Sequence, residues 1–182
     1  VDELMADGAF KLDEAVALLE RTPAALSALL EGLPASWLHA TEGEGTWSPV
    51  DVVAHLVHGE RVNWLPRARH LLAAEGGPFE PFDRTAFVGE SRGESLSELM
   101  AAFAELRQEN VAALTAMALT TADLRRTGLH PEFGEVRLEQ LLATWVVHDL
   151  THLSQIARTM AKRYREAVGP WNAYLSILRE RA

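Results

Sequence analysis

Cysteine is absent from the 182 residues. Disulfides, thiolate metal sites, iron–sulfur clusters and cysteine nucleophiles are excluded with it. Any metal must then be held by histidine, carboxylate or water. Basic charge is also scarce: 17 Lys and Arg stand against 26 Asp and Glu, a formal net charge of −9. That sign is poorly suited to gripping a phosphate backbone, so no nucleic-acid partner is expected. No run approaches the ~18 uninterrupted apolar residues of a membrane span, so no membrane partner is expected either. The opening Val1-Asp2-Glu3 lacks the basic segment and apolar core of a signal peptide, which fits a cytoplasmic protein. Also missing are a Gly-rich phosphate loop, a nucleophile elbow and sustained period-2 alternation.

What is present has globular proportions, 48% apolar and 24% charged. At about 150 residues per domain the length predicts one domain over 1–182. Four stretches carry helical periodicity. The first spans Phe10 to Leu33, with Leu12, Val16, Leu19, Leu26, Leu29 and Leu30 on its stripe. Thr22-Pro23 divides it, Thr as N-cap and Pro as first helical residue, and Gly32 with Pro34 stops it. The second has the clearest start: Ser48 as N-cap, Pro49 first in the helix, Asp51 three beyond the cap. It could run to Ala74, with a kink or break at Pro66. Glu75 to Gly93 reads as a long crossover whose Phe79, Phe82 and Phe87 pack on the bundle. The third helix runs from Ser95 to Met117. Thr121 to Gly134 is a connection with a weak hairpin signal, and the fourth helix runs from Leu138 to Tyr164. Trp171 to Leu178 reads as a short terminal helix with Pro170 in its first turn. These elements predict an all-α four-helix bundle.

The histidines carry the chemistry. His148 and His152 lie four apart, one above the other on one helical face. They continue the apolar stripe Leu138, Leu141, Trp145 toward Ile156, so both point into the core. Buried imidazoles need partners. Backbone groups or carboxylates could serve, and so could one divalent metal at about 2.0–2.1 Å from each nitrogen. His55, on the apolar side of the second helix, is the natural third ligand. Three histidines leave coordination positions open to water or substrate. The run His148-Asp149-Leu150-Thr151-His152 has no Glu where the HExxH motif of metalloproteases keeps its base. Glu60 and Asp149 are the nearest acids in sequence. Either could fix an imidazole tautomer, or be a solvated carboxylate. His58, about 60° round the helix from His55, reads as a rim residue. Gln155 follows His152 on the same face, while Asn63 and Arg61 could contact a polar substrate or be exposed helix positions. His130, before Pro131, could project from its loop over the bundle mouth, although a plain surface histidine is the better reading, and Trp47 reads as a residue stapling the helix entry.

Several segments together resemble the DinB/YfiT-like superfamily. They are Thr46-Trp47-Ser48-Pro49, His55-Leu56 with Glu60, the His148–His152 run, and Gln155-Ile156. Leu19-Glu20-Arg21-Thr22-Pro23 and Val168-Gly169-Pro170-Trp171 with Tyr174-Leu175 extend the likeness over nearly the whole chain. The resemblance implies a bundle with helices in up-down-down-up order. It implies one divalent ion, zinc, nickel or iron, held by His55, His148 and His152. It further implies a metal-dependent enzyme of the thiol S-transferase type, in which a low-molecular-weight thiol such as bacillithiol or mycothiol is held as thiolate and added to a small electrophile. Two alternatives stand beside it. One is metal-dependent hydrolysis, with Glu60, Asp149 or His58 as the candidate catalytic group. The other is a non-catalytic metal or small-molecule binder acting in a stress response. A homodimer is also implied, through the first helices or the Trp171 segment.

Overall fold

The computed structural model describes residues 9–73, 77–83, 85–87 and 93–179. Val1-Asp2-Glu3, Ala74, Glu75 and parts of the 75–93 crossover lie outside the described residues. The chain forms α1 (Leu12–Leu19), α2 (Thr22–Leu30), α3 (Ala35–Leu38), α4 (Pro49–Val62) and α5 (Trp64–Ala73). After the crossover come α6 (Leu96–Ala116), α7 (Thr121–Leu124), β1 (Thr127–His130), β2 (Gly134–Arg137) and α8 (Leu138–Lys162). Two 3₁₀ segments, Gly169–Tyr174 and Ser176–Leu178, follow. The helices form a four-helix bundle, built from α1/α2, α4/α5, α6 and α8.

Capping chemistry explains the two best-defined starts. Ser48 accepts from the Asp51 amide while the Asp51 carboxylate takes the Ser48 amide at 2.9 Å. Ser95 and Glu98 repeat the arrangement at the head of α6. In both, orphan amides of the first turn find partners and a carboxylate sits at the positive helix end. Gly32, at φ +77°, takes the left-handed turn after α2.

Several boundaries differ from the expectation. Arg21, not Thr22, stands at the N-cap position of α2, with no side-chain capping bond, and Thr22 is already helical, its hydroxyl directed to the Leu18 carbonyl. The break in the second helix falls at Asn63, three residues before Pro66. Pro66 has no amide hydrogen to give the Val62 carbonyl, so the preceding helix ends there, and the proline is tolerated in the first turn of α5. The fourth helix stops at Lys162 rather than Tyr164, and the terminal segment is 3₁₀ rather than α. The weakly signalled hairpin forms but runs past Gly134: β1 and β2 pair antiparallel, with Thr127 opposite Arg137 and His130 opposite Gly134. Phe79 donates its amide to the Leu129 carbonyl at 3.0 Å, and Pro78 bridges Leu129, so the crossover runs beside β1. At Gly128 a Cβ would stand 2.5 Å from the buried Leu71 side chain, so glycine is what lets β1 approach α5.

The core is two apolar clusters. One holds Leu19, Trp64, Leu71, Leu114, Leu142 and Trp145. The other holds Leu26, Val53, Val57, Phe103 and Ile156. Each long helix passes from one cluster to the other through a buried polar stretch: Glu60 and Asn63 on α4 and at its end, Arg107 on α6, Asp149 and His152 on α8. A polar layer therefore crosses the bundle between two apolar ends.

Candidate metal centre

In the polar layer the structure brings His55, His148 and His152 together. Their ligand nitrogens all lie within 4.8 Å of one another. His55 Nε2 and His152 Nε2 each stand 3.1 Å from His148 Nε2. His55 and His152 are buried and His148 is half-buried. An imidazole nitrogen carries one hydrogen or one lone pair in its ring plane, so His148 Nε2 cannot satisfy both neighbours by hydrogen bonding. A shared cation satisfies all three. Ligand nitrogens about 2.0–2.1 Å from one ion stand about 2.9 Å apart at a right angle and about 3.4 Å apart at the tetrahedral angle. The observed 3.1 Å falls between these values. The donor set therefore fits a divalent ion.

The protonation states agree with that fit. Burial, then the neighbouring His152, His55 and Arg107, pushes the His148 pKa down to about 3. Burial also lowers that of His152, although Gln155 and Asp149 work against it. Both rings are neutral at pH 7, the form that ligates metal. Gln155 Oε1 lies 2.9 Å from His152 Nδ1. The amide oxygen accepts the Nδ1 hydrogen and leaves the Nε2 lone pair for the centre. Trp47 packs against the histidines: its ring lies 4.8 Å from that of His55 and stacks at 6.3 Å on that of His152. Phe87 and Trp64 pack edge-on against His55 and His148.

Glu60 and Asp149 are not placed as either sequence reading has them. Both are buried and bound to Arg107, a residue that composition and spacing left unnoticed. Arg107 donates to Asp149 Oδ2 at 2.6 Å, to Glu60 Oε1 at 2.7 Å and to the Leu19 carbonyl at 2.7 Å. Trp145 Nε1 and the Asn110 amide complete Glu60, at 3.0 and 2.9 Å. Burial alone would lower the Arg107 pKa, but the two carboxylates outweigh it and raise it. The one clue in sequence is register: Arg107 stands four residues from both Phe103 and Val111, two core positions of α6.

His55 and His148 border a cavity of about 470 Å³. Its wall includes Asn63, Trp64, Arg67, Phe79, Phe82 and Phe133; neither Glu60 nor Asp149 borders it. His130 is no surface histidine. It is half-buried in the cavity wall, stacked 4.4 Å from Phe133, and its Nδ1 accepts from the Glu132 amide. Asn63 is buried and Arg61 exposed. His58 is buried outside the histidine triad, stacks on Phe82 and borders a neighbouring cavity with His70 and Asp83. A larger hollow of about 1000 Å³ lies between α2 and α6, away from the histidines.

A helical bundle whose three converging histidines suit a divalent ion, two of them bordering a cavity, defines the class of metal-binding bundles. Residues 18–156 match the family model of the DinB superfamily, and the chain belongs to that family. It is similar to YfiT of Bacillus subtilis (strain 168), provisionally assigned as a metal-dependent hydrolase: 27% identical over 154 residues, covering 81% of this chain and 85% of YfiT. The solved structure of YfiT, described as having an unusual four-helix bundle topology, matches with a TM-score of 0.72 at 26% identity, over 84% of this chain and 87% of that one. The four-helix bundle protein TT2238 matches with a TM-score of 0.52 at 27% identity, over 81% of this chain and 98% of that one.

Proposed function

We propose that the chain is a metal-dependent enzyme that hydrolyses a small molecule held in the cavity beside His55 and His148. One observation carries the reading: three imidazole Nε2 atoms converge where the polar layer meets that cavity. His55, His148 and His152 would bind a divalent ion, zinc, nickel or iron, which supplies Lewis acidity toward a carbonyl and toward water. Gln155 fixes the His152 ring, while Trp47, Phe87 and Trp64 keep bulk water from the backs of the rings. Arg107 holds Glu60 and Asp149 in the layer behind, so they position helices rather than exchange protons with substrate. The assignment of YfiT as a metal-dependent hydrolase supports this reading.

A specific observation keeps thiol S-transfer as a second reading. Among the described residues, the carboxylate in the cavity wall is that of the exposed Glu132 in the hairpin turn. A thiol co-substrate needs little help from such a base, because it brings its own nucleophile. One panel separates the two. Zinc-, nickel- and iron-loaded protein is assayed on aryl esters and anilides, and on monochlorobimane with bacillithiol, mycothiol and glutathione. Metal-dependent ester or anilide cleavage, abolished in His148→Ala, supports hydrolysis. Conjugation without cleavage assigns transfer instead. Inertness of every loaded form in both arms overturns both readings.

A further inference from the structure

Two polar side chains in the cavity wall, Asn63 and Arg67, take no part in the histidine group. Asn63 is 5% exposed, and its Oδ1 is buried with no hydrogen-bond partner among the described residues. It sits at the α4–α5 break, where the chain turns at φ −106° and ψ −67°. A buried amide oxygen without a protein partner is costly, so in a cavity wall it takes its missing bond from water or from a ligand. One turn further, on α5, Arg67 is half-buried in the same wall. One of its nitrogens donates to the Glu80 carbonyl at 3.0 Å, and its guanidinium lies 5.0 Å over the Phe79 ring. It makes no ion pair with a carboxylate among the described residues, in a chain with a large excess of acid. Contrast the buried Arg107, whose carboxylates are both supplied by the protein. Trp64, Phe79, Phe82, Phe133 and Val136 give the wall a large aromatic and apolar share, beside the polar His130, Glu132, Gln140 and Thr144.

We propose that this cavity selects small carboxylates with an apolar or aromatic body, Arg67 taking the carboxylate and Asn63 a neighbouring N–H. The planar fork of arginine matches a carboxylate, and the stacked Phe79 ring holds it in place. The Asn63 oxygen accepts from an amide N–H beside the carboxylate, as an N-acylated amino acid presents it. The aromatic wall covers the acyl group, whose carbonyl then faces the histidines. This deepens the hydrolytic reading and rests on it for the fate of the ligand, but the binding itself needs no metal.

Hippurate and its methyl ester, which differ in the negative charge, are titrated calorimetrically into metal-free and metal-loaded protein. Hippurate should bind at least about tenfold more tightly than the ester, the usual scale of a charge-assisted hydrogen bond. Arg67→Gln should bring the acid down to the level of the ester while leaving ester affinity unchanged. A merely structural role would lower both. Arg67→Lys should restore part of the preference, and Asn63→Ala should weaken acid and ester alike. Equal affinity for acid and ester, failure to bind hippurate, or an Arg67→Gln loss shared by both ligands overturns the proposal. Metal content and turnover are measured in parallel. Acid selectivity without metal or turnover would sink the hydrolase reading and leave this one standing.

Discussion

Gln155 shows how much of the site depends on a single polar contact. Its amide oxygen decides which nitrogen of His152 keeps the lone pair. Replacing such a partner typically costs about 10- to 100-fold in metal affinity. Gln155→Leu should therefore weaken zinc binding by about that factor in a chelator-competition titration, with the helical circular dichroism unchanged; unaltered affinity would contradict the tautomer argument. The three histidines were legible because their spacing placed polar rings on apolar stripes. Gln155 was legible as a neighbour on the same face but not as a partner. Arg67 and Arg107 were not legible, because an arginine in sequence looks solvated until the packing closes round it. Glu60 and Asp149 were noticed for their nearness to the histidines, yet what they touch is set by Arg107 on a helix about 50 residues away in sequence from Glu60.

At the scale of elements, Arg107 ties α6 to α4, to α8 and to the end of α1 through one guanidinium. Removing one partner of a buried ion pair leaves uncompensated charge, at a cost of about 3–5 kcal/mol. Arg107→Met should lose stability on that scale in urea denaturation, whereas Arg61→Met, at an exposed position, should change it by less than about 0.5 kcal/mol. A loss near zero for Arg107→Met would show that the network is incidental. Helix starts were readable because capping is local: Ser48 and Ser95 announce themselves within four residues. Ends were less readable. The α4–α5 break depends on which side of Pro66 the chain can repack, and the answer put Asn63 into a cavity wall rather than on a surface.

The whole molecule is an acidic bundle whose stability should fall in acid for two separable reasons. His148 is neutral in the folded chain down to about pH 3, against an ordinary histidine value of 6.5. The unfolded chain takes up that proton first, so the metal-free protein should lose stability as pH drops from about 6.5 toward 3. Glu42 adds a second step. Burial alone would raise its pKa, but hydrogen bonds from Arg158 and Lys162 bring it from 4.5 to about 2. Its stabilisation is complete above the ordinary carboxylate value and is lost as pH falls through about 2. Glu42→Gln should thus be less stable than the parent at pH 7, and the gap should narrow by pH 3 in paired urea titrations. A constant gap would mean that the Glu42 contacts to Arg158, Thr159 and Lys162 act by packing rather than by charge. The bundle itself was legible from periodicity. The division of its core by a polar layer was not, because that layer forms from residues on separate helices.

Elemental analysis of protein purified without a histidine tag, beside His148→Ala and His152→Ala, tests the central claim most directly. The account predicts about one divalent ion per chain in the parent protein and loss of that ion in both variants. A parent protein that holds no metal even after reconstitution, or variants that retain it, would contradict the metal centre.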